Sequence, residues 1–114
     1  MSLREWTKLV GEKGGGGFAS GESGAFIKVF VVDVGTVASV TANSTIEADF
    51  AVPGLFVGDT ILATEKPTHQ AGIGIVGARV KAADILSIQY MNTTAGGVVP
   101  TDEDYKVTVL RINA

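Results

Sequence analysis

Between Ile46 and Val52 the chain alternates strictly: Ile46, Ala48, Phe50 and Val52 are apolar, while Glu47 and Asp49 between them are charged. A period of two puts the two sets on opposite faces of an extended strand with one side buried. The run Ile85 to Asn92 repeats the device, with Leu86, Ile88 and Tyr90 on one face. Ala25 to Asp33 (AFIKVFVVD) is denser still in β-branched and aromatic residues. Val37 to Ala42, Thr60 to Thr64, Ile73 to Lys81 and Tyr105 to Asn113 supply four more extended runs. In the last, Tyr105, Val107 and Val109 face one way and Leu110 and Ile112 the other, which implies a bulge or a strand covered on both sides. Turn chemistry separates the runs: Pro53-Gly54, Val57-Gly58-Asp59, Pro67, Ala82-Ala83-Asp84, Thr93 to Gly97 and the acidic Asp102-Glu103-Asp104. Seven or eight short strands with no long helical period predict an all-β domain, a two-sheet β-sandwich of jelly-roll type, with an immunoglobulin-like sandwich as the structural rival.

The first 24 residues follow another pattern. Leu3, Trp6, Leu9 and Val10 recur at nearly helical spacing, with Ser2 and Glu5 placed as a capping box. Gly14 to Gly17 and the segment up to Gly24 are linker-like in composition. The expected division is a flexible N-terminal arm over 1–24 and a β-sandwich domain over 25–114. Within the arm, Leu3, Trp6 and Leu9 are the candidate partner-binding anchors, because tethered apolar side chains, tryptophan above all, gain by burial in an interface.

The 114 residues suffice for one domain able to bury a core without staples. Cysteine is absent, which excludes disulfides and thiolate metal sites. Nine basic against twelve acidic residues offer neither a nucleic acid nor an anionic membrane an electrostatic footprint. No apolar run approaches the roughly 18 residues of a membrane span, and the first ten residues are too polar for a signal-peptide core. Only 18% of residues are charged, fewer than the usual quarter, so much of the surface is neutral and suited to close packing.

Little in the chain points to catalysis. Gly72-Ile-Gly-Ile-Val-Gly77 matches G-x-G-x-x-G, but it opens a β-branched run where a dinucleotide site requires a helix. Its glycines read instead as points of close approach. His69, the only histidine, has no ligating or catalytic partner at local spacing. Glu47 and Asp49 read as a solvated strand face, and Asp102 to Asp104 lacks the spacing of a calcium loop. Asn43-Ser-Thr45 and Asn92-Thr-Thr94 match glycosylation acceptors but read as turn residues. The expectation is therefore no enzyme, no catalytic residue, no metal and no cofactor.

Four stretches carry a resemblance. They are Ala51-Val-Pro-Gly-Leu-Phe-Val-Gly-Asp-Thr60, Glu65-Lys-Pro-Thr-His-Gln-Ala-Gly-Ile-Gly-Ile-Val-Gly-Ala-Arg-Val80, and Ile85 to Thr94 with the closing strand Tyr105 to Arg111. Together they resemble small head decoration, cement or head-fibre proteins of tailed bacteriophages, over roughly residues 37 to 111. The resemblance implies a virion protein made in the host cytoplasm and bound to the capsid exterior. It implies the major capsid protein as partner, and a homo-oligomer, dimer or trimer. The alternative is a fibre, spike or baseplate module that binds a host-surface glycan.

Overall fold

The computed structural model describes residues 7–10, as backbone, and 24–113, with side chains from Gly24 to Ile112. Seven strands run in the order β1 (Thr7–Val10), β2 (Gly24–Asp33), β3 (Ser44–Ala51), β4 (Thr60–Glu65), β5 (Ile73–Ala82), β6 (Ile85–Asn92) and β7 (Asp104–Asn113). They form two sheets, β1-β2-β7-β4 and β3-β6-β5, and every pairing is antiparallel. The chain is all-β, and no described residue is helical.

Both sheets contribute to one core. Phe30 and Val32 of β2 and Tyr105, Val107 and Val109 of β7 meet Leu86, Ile88 and Tyr90 of β6. The alternation read from sequence in β6 holds, since Leu86, Ile88 and Tyr90 are all fully buried. In β3 the register also holds, with Glu47 and Asp49 outward and Ile46, Ala48 and Phe50 packed on the core margin. Tyr90 and Tyr105, from opposite sheets, join their hydroxyls at 3.0 Å in the interior. That bond satisfies two polar groups whose burial would otherwise oppose packing.

Two expectations are corrected, and one open alternative is narrowed. Thr7–Val10 is extended rather than helical and pairs with β2, Thr7 opposite Ile27. A two-turn helix is marginal alone, whereas an open strand edge supplies hydrogen-bond partners along its length. Val37 to Ala42 is not a strand: Val37 and Val40 are buried, but only Val40 makes a bridge, to Val98. Finally, β7 has no bulge against β2, because the two strands stay in register over all ten pairs. Leu110 and Ile112 simply occupy the outward parity, which they share with Asp104, Lys106 and Thr108. The irregularity lies in β4, where the register against β7 shifts between Ile61 and Ala63.

The turns are chemically consistent. Gly54, Gly58 and Gly72 have φ of 103, 101 and 78°, in the region glycine tolerates best. Asp84 reaches φ 64° in the tight β5–β6 turn, where Asp is among the tolerated residues. Asn92, read as a turn residue, is only 1% exposed. Its amide donates to the carbonyls of Val40 and Gly96, and its oxygen accepts from the backbone and hydroxyl of Thr94. One side chain thus fastens the β6–β7 connection to the segment before β3.

Candidate functional site

The anchors nominated from sequence lie outside the described residues for Leu3 and Trp6. Leu9 sits in β1, where backbone alone is described. Two surfaces formed by the rest of the chain carry the site-like features.

The first is the loop from Pro53 to Asp59, which leads into β4. Leu55 plugs inward at 1% exposure, while the next two residues, Phe56 and Val57, are 57% and 72% exposed. Exposed apolar side chains on a loop are unremarkable when the loop is loose. This one is braced. Arg111, near the end of β7, sends Nε and one terminal nitrogen to the two Asp59 oxygens at 2.8 and 2.7 Å. The same terminal nitrogen donates to the Gly54 carbonyl at 2.8 Å. Asp59 also accepts from the Phe56 backbone at 2.9 Å, and the Asp59 backbone donates to the Phe56 carbonyl at 3.0 Å. The Arg111 guanidinium lies 3.7 Å from the Phe56 ring centroid. Behind the loop, Asp84 accepts from the Gly54 backbone at 2.9 Å and its own backbone donates to Leu55. The Asp59 side chain is 2% exposed and that of Arg111 20%, so the fork–fork pair is largely withdrawn from solvent. The outcome is one aromatic and one aliphatic side chain presented to solvent on a fixed support.

The second surface is the outer face of β3-β6-β5. Arg79 grips Glu47 with two bonds of 2.9 Å across β6, and Lys81 reaches Asp49 at 2.7 Å. Ser87 donates to the other Asp49 oxygen. The Arg79 hydrogen bonds hold the Glu47 carboxyl below its ordinary pKa, and those from Lys81 and Ser87 do the same for Asp49. The Arg79 guanidinium is raised by the same bond to Glu47. All four side chains are well exposed, so this ladder is a solvated face of the kind the alternation predicts.

The remaining sequence candidates stay apart. His69 is exposed between β4 and β5. Glu103 of the acidic turn pairs with Lys66 at 3.2 Å. Among the described residues no three His, Cys, Asp or Glu side chains come together as a metal site. Of the three motif glycines, only Gly72 is a close approach: a Cβ there would lie 2.3 Å from Thr94 Cγ2, whereas Gly74 faces open space. The motif begins in a turn and continues as β5.

Comparison with family models, curated proteins and solved structures returned no match. The braced loop escaped the sequence reading even though its residues were quoted. Three large apolar residues in a row, Leu55, Phe56 and Val57, set between Gly54 and Gly58 were the available signal. Arg111, 52 positions away, could be assigned to Asp59 only once the strand order was known.

Proposed function

We propose that this chain is a structural binding protein of a virion: a decoration protein that attaches to the outer capsid surface and stabilises the head. The observation that carries the reading is the braced Phe56–Val57 loop. Interfaces draw most of their energy from a few apolar anchors, and anchors fixed beforehand lose little entropy on docking. Burying each of these side chains contributes about 1.5–3 kcal/mol. On a symmetric shell that modest contact repeats at every site. The identity of the partner as a capsid rests on the sequence resemblance, and the loop supplies the means of attachment.

A jelly-roll description of the fold belongs to the same reading. The strands pair in nested order, β2 with β7 and β3 with β6, and the innermost pair β4 and β5 also approach one another across the sheets. Such nesting is what results when one long antiparallel hairpin is rolled into two sheets.

The test is co-sedimentation with undecorated capsids of the parent phage. Wild-type chain should pellet with them, and Phe56→Ala combined with Val57→Ser should lower occupancy tenfold or more at unchanged melting temperature. Binding that survives the double substitution removes the loop from the interface. Failure of the wild-type chain to bind, together with retention on a host-glycan array, replaces decoration by the fibre-module reading.

A further inference from the structure

The connection from Lys66 to Gly72, between β4 and β5, is fastened by polar contacts rather than by core packing. Every residue in it is exposed or half-buried, and none belongs to the core cluster. It shares a cavity of about 320 Å³ with Thr64, Ile73 and Ile75 of the adjoining strands. Two clips tie it to the segment that leads into β7. Gln70 donates from its amide to the Val99 carbonyl at 3.0 Å and accepts from the Thr101 backbone at 2.9 Å. Lys66 pairs with Glu103 at 3.2 Å, and the two side chains are only 9% and 13% exposed. The Lys66 ammonium also donates to the Thr68 carbonyl, which draws the start of the connection over the pair. Thr64, on the same cavity, has its hydroxyl buried with no hydrogen-bond partner. Buried polar groups are nearly always bonded, and an orphan favours any motion that returns it to water. The closed position is thus opposed by one buried hydroxyl and secured by one shielded ion pair.

We infer that the Lys66–Gly72 connection is a strap that opens when Glu103 takes up a proton, uncovering the Thr64 cavity. Neutralising one member of a pair withdrawn from solvent leaves the other charge uncompensated, so the closed position loses its latch. The groups around Glu103 are few. Lys66 faces it across the pair, and the phenols of Tyr90 on β6 and Tyr105 on β7 feel its charge. Asp102 and Asp104 flank it in the chain, with Asp33 of β2 opposite Asp104, and His69 stands exposed on the strap itself. A hydrogen bond from Thr68, and after it the Lys66 ammonium, holds the Glu103 carboxyl below its ordinary 4.5. The latch is therefore whole above that value and is lost as pH falls through the lower value of the folded state. Because the strap lies outside the core, its opening is local and leaves both sheets in place. The inference goes beyond attachment through the Phe56–Val57 loop and does not depend on it.

Amide hydrogen exchange of the full-length chain, read by NMR, tests it. The reporters are the Thr101 amide, bonded to the Gln70 side chain, and the Thr93 amide, bonded to the Gly72 carbonyl at 2.8 Å. Glu103→Gln keeps the shape of the side chain and removes its charge. At neutral pH it should speed both reporters about tenfold or more over wild type, while the Val52 amide, bonded to Asp84, stays unchanged. Wild type, corrected for intrinsic exchange, should move toward the variant as pH falls below 4.5, and the variant itself should change little. Thr64→Val removes the orphan hydroxyl and should slow the same reporters below wild type. Reporters unmoved by Glu103→Gln, or an acceleration shared by Val52, overturn the inference, and so does a Thr64→Val chain that exchanges no slower than wild type. Should Glu103→Gln fail to fold, the wild-type pH series and Thr64→Val read the same strap.

Discussion

Removing the Arg111 guanidinium should cost the fold far more than an ordinary surface change. Arg111→Ala strips two charge-assisted bonds from Asp59 and one from the Gly54 carbonyl. It leaves the Asp59 carboxylate, 2% exposed, without its counter-charge. Breaking a buried pair by deleting one partner costs about 3–5 kcal/mol, and the residual exposure of Arg111 puts this case at the lower end, about 3 kcal/mol. Arg111→Lys keeps the charge but cannot reproduce the fork or the stacking on Phe56, so it should recover less than half of that loss. Asp59→Asn in the Arg111→Ala background removes the stranded charge and should restore about 1–2 kcal/mol. Urea denaturation followed by tryptophan-independent circular dichroism gives all four stabilities. An Arg111→Ala variant within about 0.5 kcal/mol of wild type would refute the brace, because that is the range of an inert surface position.

Other expectations follow from the same geometry. Tyr90→Phe or Tyr105→Phe alone should cost about 1–3 kcal/mol by stranding the other hydroxyl, and the double variant should cost less than the sum; additive losses would mean the hydroxyls are not coupled. Burial, before any other cause, raises both phenols above their ordinary pKa of 10.0, so the stability they contribute is whole below pH 10 and is lost as pH rises beyond it; phenolate absorbance from this pair should appear only with unfolding. Glu47 and Asp49 are lowered from 4.5 and 3.8, so their pairing stabilises the fold above those values and fades as pH falls through the folded-state values below them; Glu47→Gln with Asp49→Asn should flatten the acid limb of the melting profile. Gly72→Ala, with φ 78° and Thr94 Cγ2 in the way, should cost about 2–4 kcal/mol, while Gly74→Ala in open space should stay near neutral by the same denaturation assay.

The strands were legible where burial on one face wrote itself into the sequence. Ile85–Asn92 has the predicted bounds, and Ser44–Ala51 has the predicted register. Phe50 is an instructive partial case: its facing is right, but it sits on the core margin, so its truncation should cost less than a fully buried phenylalanine would. Val37 to Ala42 misled because burial alone, without a ladder partner, produces the same apolar spacing as a strand. Thr7–Val10 misled in the other direction, since four residues are too few for periodicity to separate helix from strand. The brace at Arg111 was illegible for a different reason. Its partners are fixed by how the sheet folds back on itself, and no local period encodes a contact across 52 residues.

Gly24 and Asn113 are register partners, so the start of β2 and the end of β7 lie at one pole. Thr60 pairs with Leu110, which brings the Phe56–Val57 loop to that same pole, and the Asp84 turn joins it there. The opposite pole holds the ends of β2 and β4, the start of β7, and the connections around Gly35, His69 and Asp102. The domain is thus polarised lengthwise: the exposed Phe56 and Val57 and the Gly24–Asn113 pair lie at one end, and the Gly35, His69 and Asp102 connections lie at the other. Anything spliced into the far connections would be held away from Phe56 and Val57. For engineering, internal loops at the far pole are the display positions of this scaffold.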